Sequence, residues 1–363
     1  MVPPADPTAA QRRSESRNSG CSKGSDGTSL KVDRLSALLP EEWKLTVERR
    51  SAEGGVIRAD DDRDSVDIAV VTRDRIEPRD LDRLQLPDQP TIVSAAWLSP
   101  RTRELLRARG AGFLDRTGNT ELRLQRPGLY LRTDGSDRDP APRPKPGPSL
   151  NGPRAWALLR TLIEVSPPYT ASDLALALKL DNGYITRALQ VLTDERLVER
   201  RPRGPVTSVE WEPLLRRLIE SYSLLDANIT STWIAAAGPS RLLDDLADLR
   251  VGKWAVTGSF VTSAFAPVAA AEVAVIYTAD PERLAKAARL LPATTGSNVI
   301  LAVPYDPIVF QRGQTLDRVQ AVSAAQAAMD SLTGPARMPA EGEALLTWMR
   351  RNEPRWRSRS LKA

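Results

Sequence analysis

Histidine is absent from this chain of 363 residues, cysteine occurs once, and aromatic residues make up only 5%. Without histidine there is no Ser-His-Asp triad, no Cys-His dyad, no histidine general base and no histidine-ligated zinc. The single Cys21 excludes an intramolecular disulfide and a CxxC pair, which fits a reducing cytoplasm. No apolar run is long enough to cross a bilayer, and the polar N-terminus lacks the core of a signal peptide. We therefore expect a cytoplasmic protein without a membrane segment.

Lysine is scarce as well, since only eight of the 51 basic residues are lysine and the rest are arginine. The net charge of +5 suggests nucleic-acid binding, but residues 350–363 alone hold six basic residues and one acidic residue. The remainder of the chain is neutral overall. This basic tail could lie along DNA phosphates, although such an end is usually solvated and frayed. Any prediction of DNA binding must therefore rest on a local pattern.

Composition divides the chain into six segments. Alternating prolines at positions 140 to 148 predict a semi-rigid polyproline linker, and the polar N-terminal tail is expected to be disordered. Helical and strand-like patterns alternate elsewhere, which predicts a multi-domain α/β protein with a central helical unit. The segments are 1–29 (disordered tail), 30–133 (small α/β domain), 134–150 (linker), 151–212 (helices and hairpin), 213–349 (second α/β domain) and 350–363 (basic tail).

The first α/β domain is predicted from short strand-like runs around one clear helix. Ser99-Pro100 is typical of an N-cap followed by proline at the first helical position, and Gly110 ends that helix. Gly-Asn before Thr120 predicts a hairpin turn in which Asp115 binds turn amides, while a polar pocket at Asp115–Asn119 is the alternative. The predicted strands are Trp43–Val47, Val66–Val71, Thr91–Ala95, Phe113–Leu114, Thr120–Leu124 and Leu129–Arg132.

The central segment carries the clearest pattern. A first amphipathic helix ends at Pro167-Pro168, and Thr170 with Asp173 three residues later predicts a capping box for a second. Asp181 can cap a third helix. Apolar alternation around the Pro/Gly turn at 202–205 then predicts a hairpin. The predicted inward-facing residues are Trp156, Leu159, Leu162, Ile163, Leu174, Ala177, Leu178, Ile185, Leu189 and Leu192.

This order of three helices and a basic hairpin is the layout of a winged helix-turn-helix. The third helix of that layout fits the DNA major groove, and its N-terminal residues approach base edges. Arginines of the hairpin would add contacts to phosphates, which supply affinity without sequence information. A winged helix that serves only protein contacts or dimerisation is the alternative. The predicted DNA-binding residues are Asn182, Tyr184, Thr186, Arg187, Gln190, Arg200, Arg201 and Arg203.

The stretch at 93–119, VSAAWLSPRTRELLRARGAGFLDRTGN, resembles a segment of winged-helix proteins grouped with AbiEi-type antitoxins of type IV toxin–antitoxin systems. The resemblance covers about Leu30 to Arg351. It implies a nuclease-like PD-(D/E)xK domain, a central winged helix-turn-helix and a C-terminal nucleotidyltransferase-like domain, in a DNA-binding regulator. Further similar motifs are Ala255–Ser259, Ala266–Val268, Asp280–Glu282, Asn298–Leu301 and Leu332–Pro335.

The nuclease motif is incomplete in this chain. Asp67 could be the first metal-binding acid, but Glu77 is followed by proline and no lysine occurs between Lys44 and Lys145. Arginine stays charged and cannot take the proton-transfer role of that lysine. We expect a nuclease-like fold without nuclease activity, with Asp67 as a solvated or capping acid.

The nucleotidyltransferase motif is incomplete too. Gly258-Ser259 is followed at a suitable spacing by Glu272, one carboxylate where two are needed to hold two metal ions. Asp280 comes later, but Asp280-Pro281 is typical of a helix start. We expect no transferase activity, no bound metal and no cofactor; a metal-dependent nuclease or nucleotidyltransferase remains the alternative function.

Together these observations predict a sequence-specific transcriptional regulator that binds double-stranded DNA, an antitoxin-like repressor of its own gene. A homodimer is expected, because a single winged helix contacts few base pairs. A cognate toxin or a small effector is a further expected partner.

Overall fold

The computed structural model describes residues 34–51, 54–61, 63–142, 147–202, 204–249 and 251–362. The chain divides into two compact units, Met1–Arg143 and Pro144–Ala363. Each is built on a large mixed sheet with helices, so the predicted α/β class is confirmed. The predicted tail 1–29 lies outside the described residues.

The N-terminal unit is a seven-stranded sheet whose strands lie side by side in chain order. They are β1 Lys44–Ser51, β2 Gly54–Asp60, β3 Ser65–Thr72, β4 Thr91–Ala95, β5 Gly112–Asp115, β6 Thr120–Leu124 and β7 Leu129–Thr133. Strand β4 runs parallel to β3 and β5, and the other neighbouring pairs are antiparallel. A parallel pair needs a crossover. The 3-10 helix Pro78–Arg83 and helix α1 (Pro100–Ala108) lie in the two crossovers.

Successive side chains along each strand point to opposite faces of this sheet, so the apolar ones form two small cores, one on each face. Ile92 and Leu114 join the cluster that also contains Leu35, while Val93 and Phe113 join the cluster beneath α1. All six strands predicted for this domain are confirmed, to within four residues at their ends, and Ser99 caps α1 as predicted. Strand β2 was not predicted from the sequence. Its glycines, Arg58 and Asp60 leave only a short apolar pattern around the two buried side chains, Ile57 and Ala59.

Asp115 forms the turn between β5 and β6, which confirms its structural role. Its carboxylate accepts hydrogen bonds from the amides of Thr117 (2.8 Å) and Asn119 (3.1 Å), and from the Leu98 amide (3.2 Å). The buried Asn119 in turn accepts from Gly135 N (2.8 Å) and donates to Ser136 O (3.0 Å). The beginning of the predicted linker is therefore hydrogen-bonded to this turn.

The C-terminal unit begins with four helices and a hairpin. The helices are α2 Pro153–Glu164, α3 Ala171–Leu178, α4 Asn182–Asp194 and α5 Trp211–Ile219, and the hairpin strands are β8 Val198–Arg200 and β9 Val206–Val209. The predicted helix starts at Thr170 and Asp181 are confirmed. The predicted hairpin is confirmed too, and helix α5 begins at Trp211, two residues after β9 ends. Ala177, predicted to be buried, is exposed.

The rest of this unit is a second seven-stranded sheet with its own helices. The strands are β10 Ile229–Ile234, β11 Trp254–Thr257, β12 Ala274–Thr278, β13 Leu291–Pro292, β14 Val299–Val303, β15 Gln314–Leu316 and β16 Val319–Ala321, and they lie in the order β13-β10-β14-β12-β11-β16-β15. The helices are α6 Pro239–Asp248, α7 Ser259–Phe265, α8 Pro281–Ala287, α9 Ala324–Leu332, α10 Met338–Arg351 and α11 Glu353–Trp356. One continuous hydrophobic cluster joins this sheet and its helices to α2–α5.

Helix α2 is buried on all sides from Ala155 to Glu164, although the sequence predicted one apolar face. Two of its charged residues, Arg160 and Glu164, form an ion pair at 2.8 Å with side chains 0% and 2% exposed. Arg160 also donates to the carbonyls of Ile308 and Gln311 and to the Ser323 hydroxyl. A buried charge is tolerated when it is paired and hydrogen-bonded, and these contacts attach α2 to the short 3-10 helix at Pro307–Phe310 and to the start of α9.

The basic C-terminal segment packs against α2 and is not frayed at residues 353–358. The Arg357 side chain is 6% exposed and donates to the carbonyls of Leu162, Ile163 and Val165 at the end of α2. A cation at the C-terminus of a helix is stabilised by the carbonyl groups and the negative end of the helix dipole there. Trp356 packs edge-on against Trp211, with ring centroids 4.9 Å apart.

Within the described residues, no helix combines the length and apolar character that crossing a membrane requires.

Candidate nucleic-acid interface

Two sets of hydrogen bonds hold Tyr169 and Thr170, the residues directly before α3. Thr170 accepts a hydrogen bond from Asp173 N at 3.1 Å, and the Asp173 carboxylate accepts from Thr170 N at 2.7 Å. The hydrogen bonds that the carboxylate accepts from the Thr170 amide and from the Thr170 hydroxyl lower the pKa of Asp173 below its usual value. One residue earlier, Tyr169 pairs with Val206 of β9 through a backbone hydrogen bond of 2.9 Å. The hairpin is thereby attached to the helices.

Helix α4 begins at a side-chain cap, because Asp181 accepts from Tyr184 N at 2.7 Å. The apolar face of the helix is fully buried, since Ile185, Leu189 and Leu192 are at most 1% exposed. Four predicted site residues lie together on its other face and are exposed: Asn182, Thr186, Arg187 and Gln190. The helix therefore presents one polar stripe to solvent.

Tyr184 differs from this group. It is half-buried and packs against the core, whereas its place among the predicted DNA-binding residues calls for an outward-facing side chain. Burial raises the pKa of its hydroxyl, and the nearby Arg154 cation partly opposes that effect. Arg154 is exposed at the start of α2 and was missed in the sequence. Thirty residues separate it from Tyr184, and no spacing pattern indicates that the two approach.

The hairpin brings two predicted arginines to the same region. Arg200 lies in β8 and donates from Nη2 to Gln190 Oε1 at 2.8 Å, so the hairpin contacts α4 directly. Arg201 follows it and is exposed. Arg203, the third predicted arginine of the hairpin, lies outside the described residues. The contact of Arg200 with Gln190 therefore joins the polar side of α4 to the hairpin. We call these exposed or half-buried polar residues of α4, of β8 and of the position after β8 the α4–β8 surface: Asn182, Thr186, Arg187, Gln190, Arg200 and Arg201.

Two contacts of α4 side chains are local. The Thr186 hydroxyl donates to Asn182 O at 2.8 Å, and the Gln190 amide donates to Asp194 Oδ1 at 3.0 Å. Thr186 keeps a methyl group and an acceptor oxygen for other partners. Gln190, by contrast, is bonded to protein groups through both its oxygen and its nitrogen.

Asp67, the one candidate for the first acid of the nuclease motif, lies on β3 opposite Arg58 of β2. Its carboxylate accepts from Arg58 Nε at 2.9 Å, and both side chains are 45% exposed. Glu77 lies at the start of the 3-10 helix and pairs with Arg79 at 3.0 Å. Each acid has an arginine as its partner. No group of three or more Cys, Asp or Glu side chains suited to a metal ion occurs in the described part of the chain.

The Gly258-Ser259 motif begins α7 directly after β11. Gly258 has a φ of 66°, and a Cβ at this position would lie 2.5 Å from Met338 Cε. Ser259 is 7% exposed and donates to the Glu341 carboxylate at 2.5 Å. Helix α10 therefore occupies the space beside the motif. Glu272, the expected single acid, is 79% exposed and lies 3.7 Å from an Arg337 nitrogen.

Comparison with protein-family models, with curated proteins and with solved structures gave no match for this chain.

Proposed function

We propose that residues 153–209 form a winged helix-turn-helix and that the chain is a sequence-specific DNA-binding transcriptional regulator. The observation that carries this proposal is the polar stripe of α4. Its opposite face is buried in the core, so the helix is held rigidly while Asn182, Thr186 and Arg187 remain exposed and able to meet base edges. A recognition helix needs both properties.

The stripe has the chemistry that base reading requires. Arg187 can donate two hydrogen bonds to guanine O6 and N7, Asn182 can bind adenine N6 and N7, and the Thr186 methyl can contact thymine. Arg200 and Arg201 on the hairpin would meet the flanking phosphates, and Arg154 adds a cation at the start of α2. Paired half-sites would require a dimer of this chain.

We propose further that the two large sheets belong to nuclease-like and nucleotidyltransferase-like folds that serve binding instead of catalysis. Asp67 and Glu77 are paired with arginines, and Met338 together with Glu341 encloses the Gly258-Ser259 motif. These contacts favour a binding role, which fits an antitoxin-like repressor of its own gene. Turnover of DNA, RNA or nucleotides with Mg²⁺ that disappears in Asp67→Ala or Glu272→Ala would contradict this proposal.

Selection from a randomised pool of DNA duplexes tests the proposed reading surface. We expect the unmutated chain to enrich a motif. In the Asn182→Ala, Arg187→Ala double variant, the difference in binding free energy between the preferred base and the other bases should fall by about 1–3 kcal/mol at each position that is no longer read. Arg283→Ala is the matched control, because Arg283 is exposed on α8, outside the α4–β8 surface. An unchanged motif in the double variant would refute the assigned surface.

A further inference from the structure

The Gln190 side chain is bonded on both sides within the protein. Its oxygen accepts from Arg200 of β8 at 2.8 Å, and its nitrogen donates to Asp194 at 3.0 Å. Arg200 can only donate and a charged Asp194 can only accept, so a single orientation of the amide satisfies both neighbours. These three side chains form a chain of hydrogen bonds from α4 to the hairpin.

That arrangement conflicts with base reading by the same amide. A glutamine that reads adenine directs its oxygen and its nitrogen together at N6 and N7 of one base. For Gln190 this would cost the hydrogen bonds to Arg200 and Asp194. Gln190 also lies eight residues beyond Asn182, or about 12 Å along the helix axis, whereas base contacts concentrate near the N-terminus of a recognition helix.

We propose that Gln190 is a positioning residue that holds the Arg200 guanidinium toward a DNA phosphate, and that base reading falls to Asn182, Thr186 and Arg187. The proposal rests on the DNA-binding function proposed above. The hydrogen bond to Gln190 restricts the rotamers of the long, half-exposed Arg200 side chain in the free protein. Arg200 therefore loses less conformational entropy when it binds a phosphate. The hairpin and α4 would then approach DNA as one surface.

The test measures the affinity of the full-length chain for its selected duplex and for a shuffled duplex of equal length, at several salt concentrations. We expect Gln190→Ala and Arg200→Ala each to weaken binding to both duplexes by about 3- to 10-fold, with the ratio of the two affinities kept within about twofold. Arg200→Ala should lower the slope of log affinity against log salt by about 0.9. The double variant should be no weaker than Arg200→Ala, because Gln190 acts through that arginine.

Four results would overturn this assignment, the last of them by refuting the function on which it rests. A drop of tenfold or more in the affinity ratio for Gln190→Ala would show that Gln190 reads a base. A loss of affinity in the double variant equal to the product of the two single-variant losses would show that the two residues act independently. In the DNA-free protein, Gln190→Ala should increase the mobility of the Arg200 guanidinium in NMR relaxation, and unchanged relaxation would refute the positioning contact itself. Failure of the unmutated chain to bind any duplex would refute the proposed function, and the role of Gln190 with it.

Discussion

Replacement of Arg160 by alanine should strongly destabilise the C-terminal unit. Arg160 is fully buried, and among the described residues its partner Glu164 would be left in the core with the Ser323 hydroxyl and the Arg312 guanidinium, 3.7 Å away. Removal of one partner of a buried pair costs about 3–5 kcal/mol. The carbonyls of Ile308 and Gln311 also lose a donor, which places the expected loss toward the upper part of that range.

Urea denaturation followed by tryptophan fluorescence measures this loss, since six of the eight tryptophans lie within residues 144–363. The control is Arg241→Ala, which breaks a pair of the same helical spacing whose side chains are 66% and 51% exposed. That control should cost less than about 0.5 kcal/mol. An Arg160→Met, Glu164→Leu double variant should recover about 1–2 kcal/mol relative to Arg160→Ala, because the core no longer contains a carboxylate that has lost its main partner. A loss below about 1 kcal/mol for Arg160→Ala would refute the reasoning.

Two further predictions concern other ion pairs. The hydrogen bonds from Arg107 lower the pKa of Glu121, so its stabilising effect is present above the usual pKa of 4.5 and is lost as the pH falls through the lowered value. Glu121→Gln should therefore cost about 1 kcal/mol at pH 7 and reduce the acid sensitivity of hydrogen exchange in β6, whereas Asp134→Asn at an exposed pair should change neither. Arg357→Ala should destabilise the C-terminal unit by about 1–3 kcal/mol in urea, while the exposed Arg359→Ala should be neutral; equal effects would contradict the proposed cap of α2.

Local signals in the sequence predicted local structure well. The caps Ser99, Thr170, Asp181 and Asp280 all begin helices, because each pairs a short polar side chain with a nearby free amide. The buried residues of α4 were also predicted, since the helical period of 3.6 residues fixes them.

Long-range contacts were not predicted. In the sequence, Arg160 looks like an exposed position of an amphipathic helix. Its burial is explained by its contacts with Ile308, Gln311 and Ser323, which lie 148 to 163 residues later in the chain. The same holds for the contact of Arg200 with Gln190 and for the packing of Arg357 on α2. Such contacts depend on the tertiary structure, whereas the periodicity of a single sequence indicates local secondary structure only.

The most direct test of the central claim is the affinity of the full-length chain for the DNA upstream of its own gene. A duplex of the same composition but shuffled order is the comparison, with both measured from low to physiological salt. We predict affinity for the upstream DNA at least about 10³-fold tighter than for the shuffled duplex, with a log–log salt slope that Arg200→Ala lowers and a preference for the upstream DNA that Arg187→Ala reduces. Equal affinity for both duplexes, or no binding to either, would contradict it.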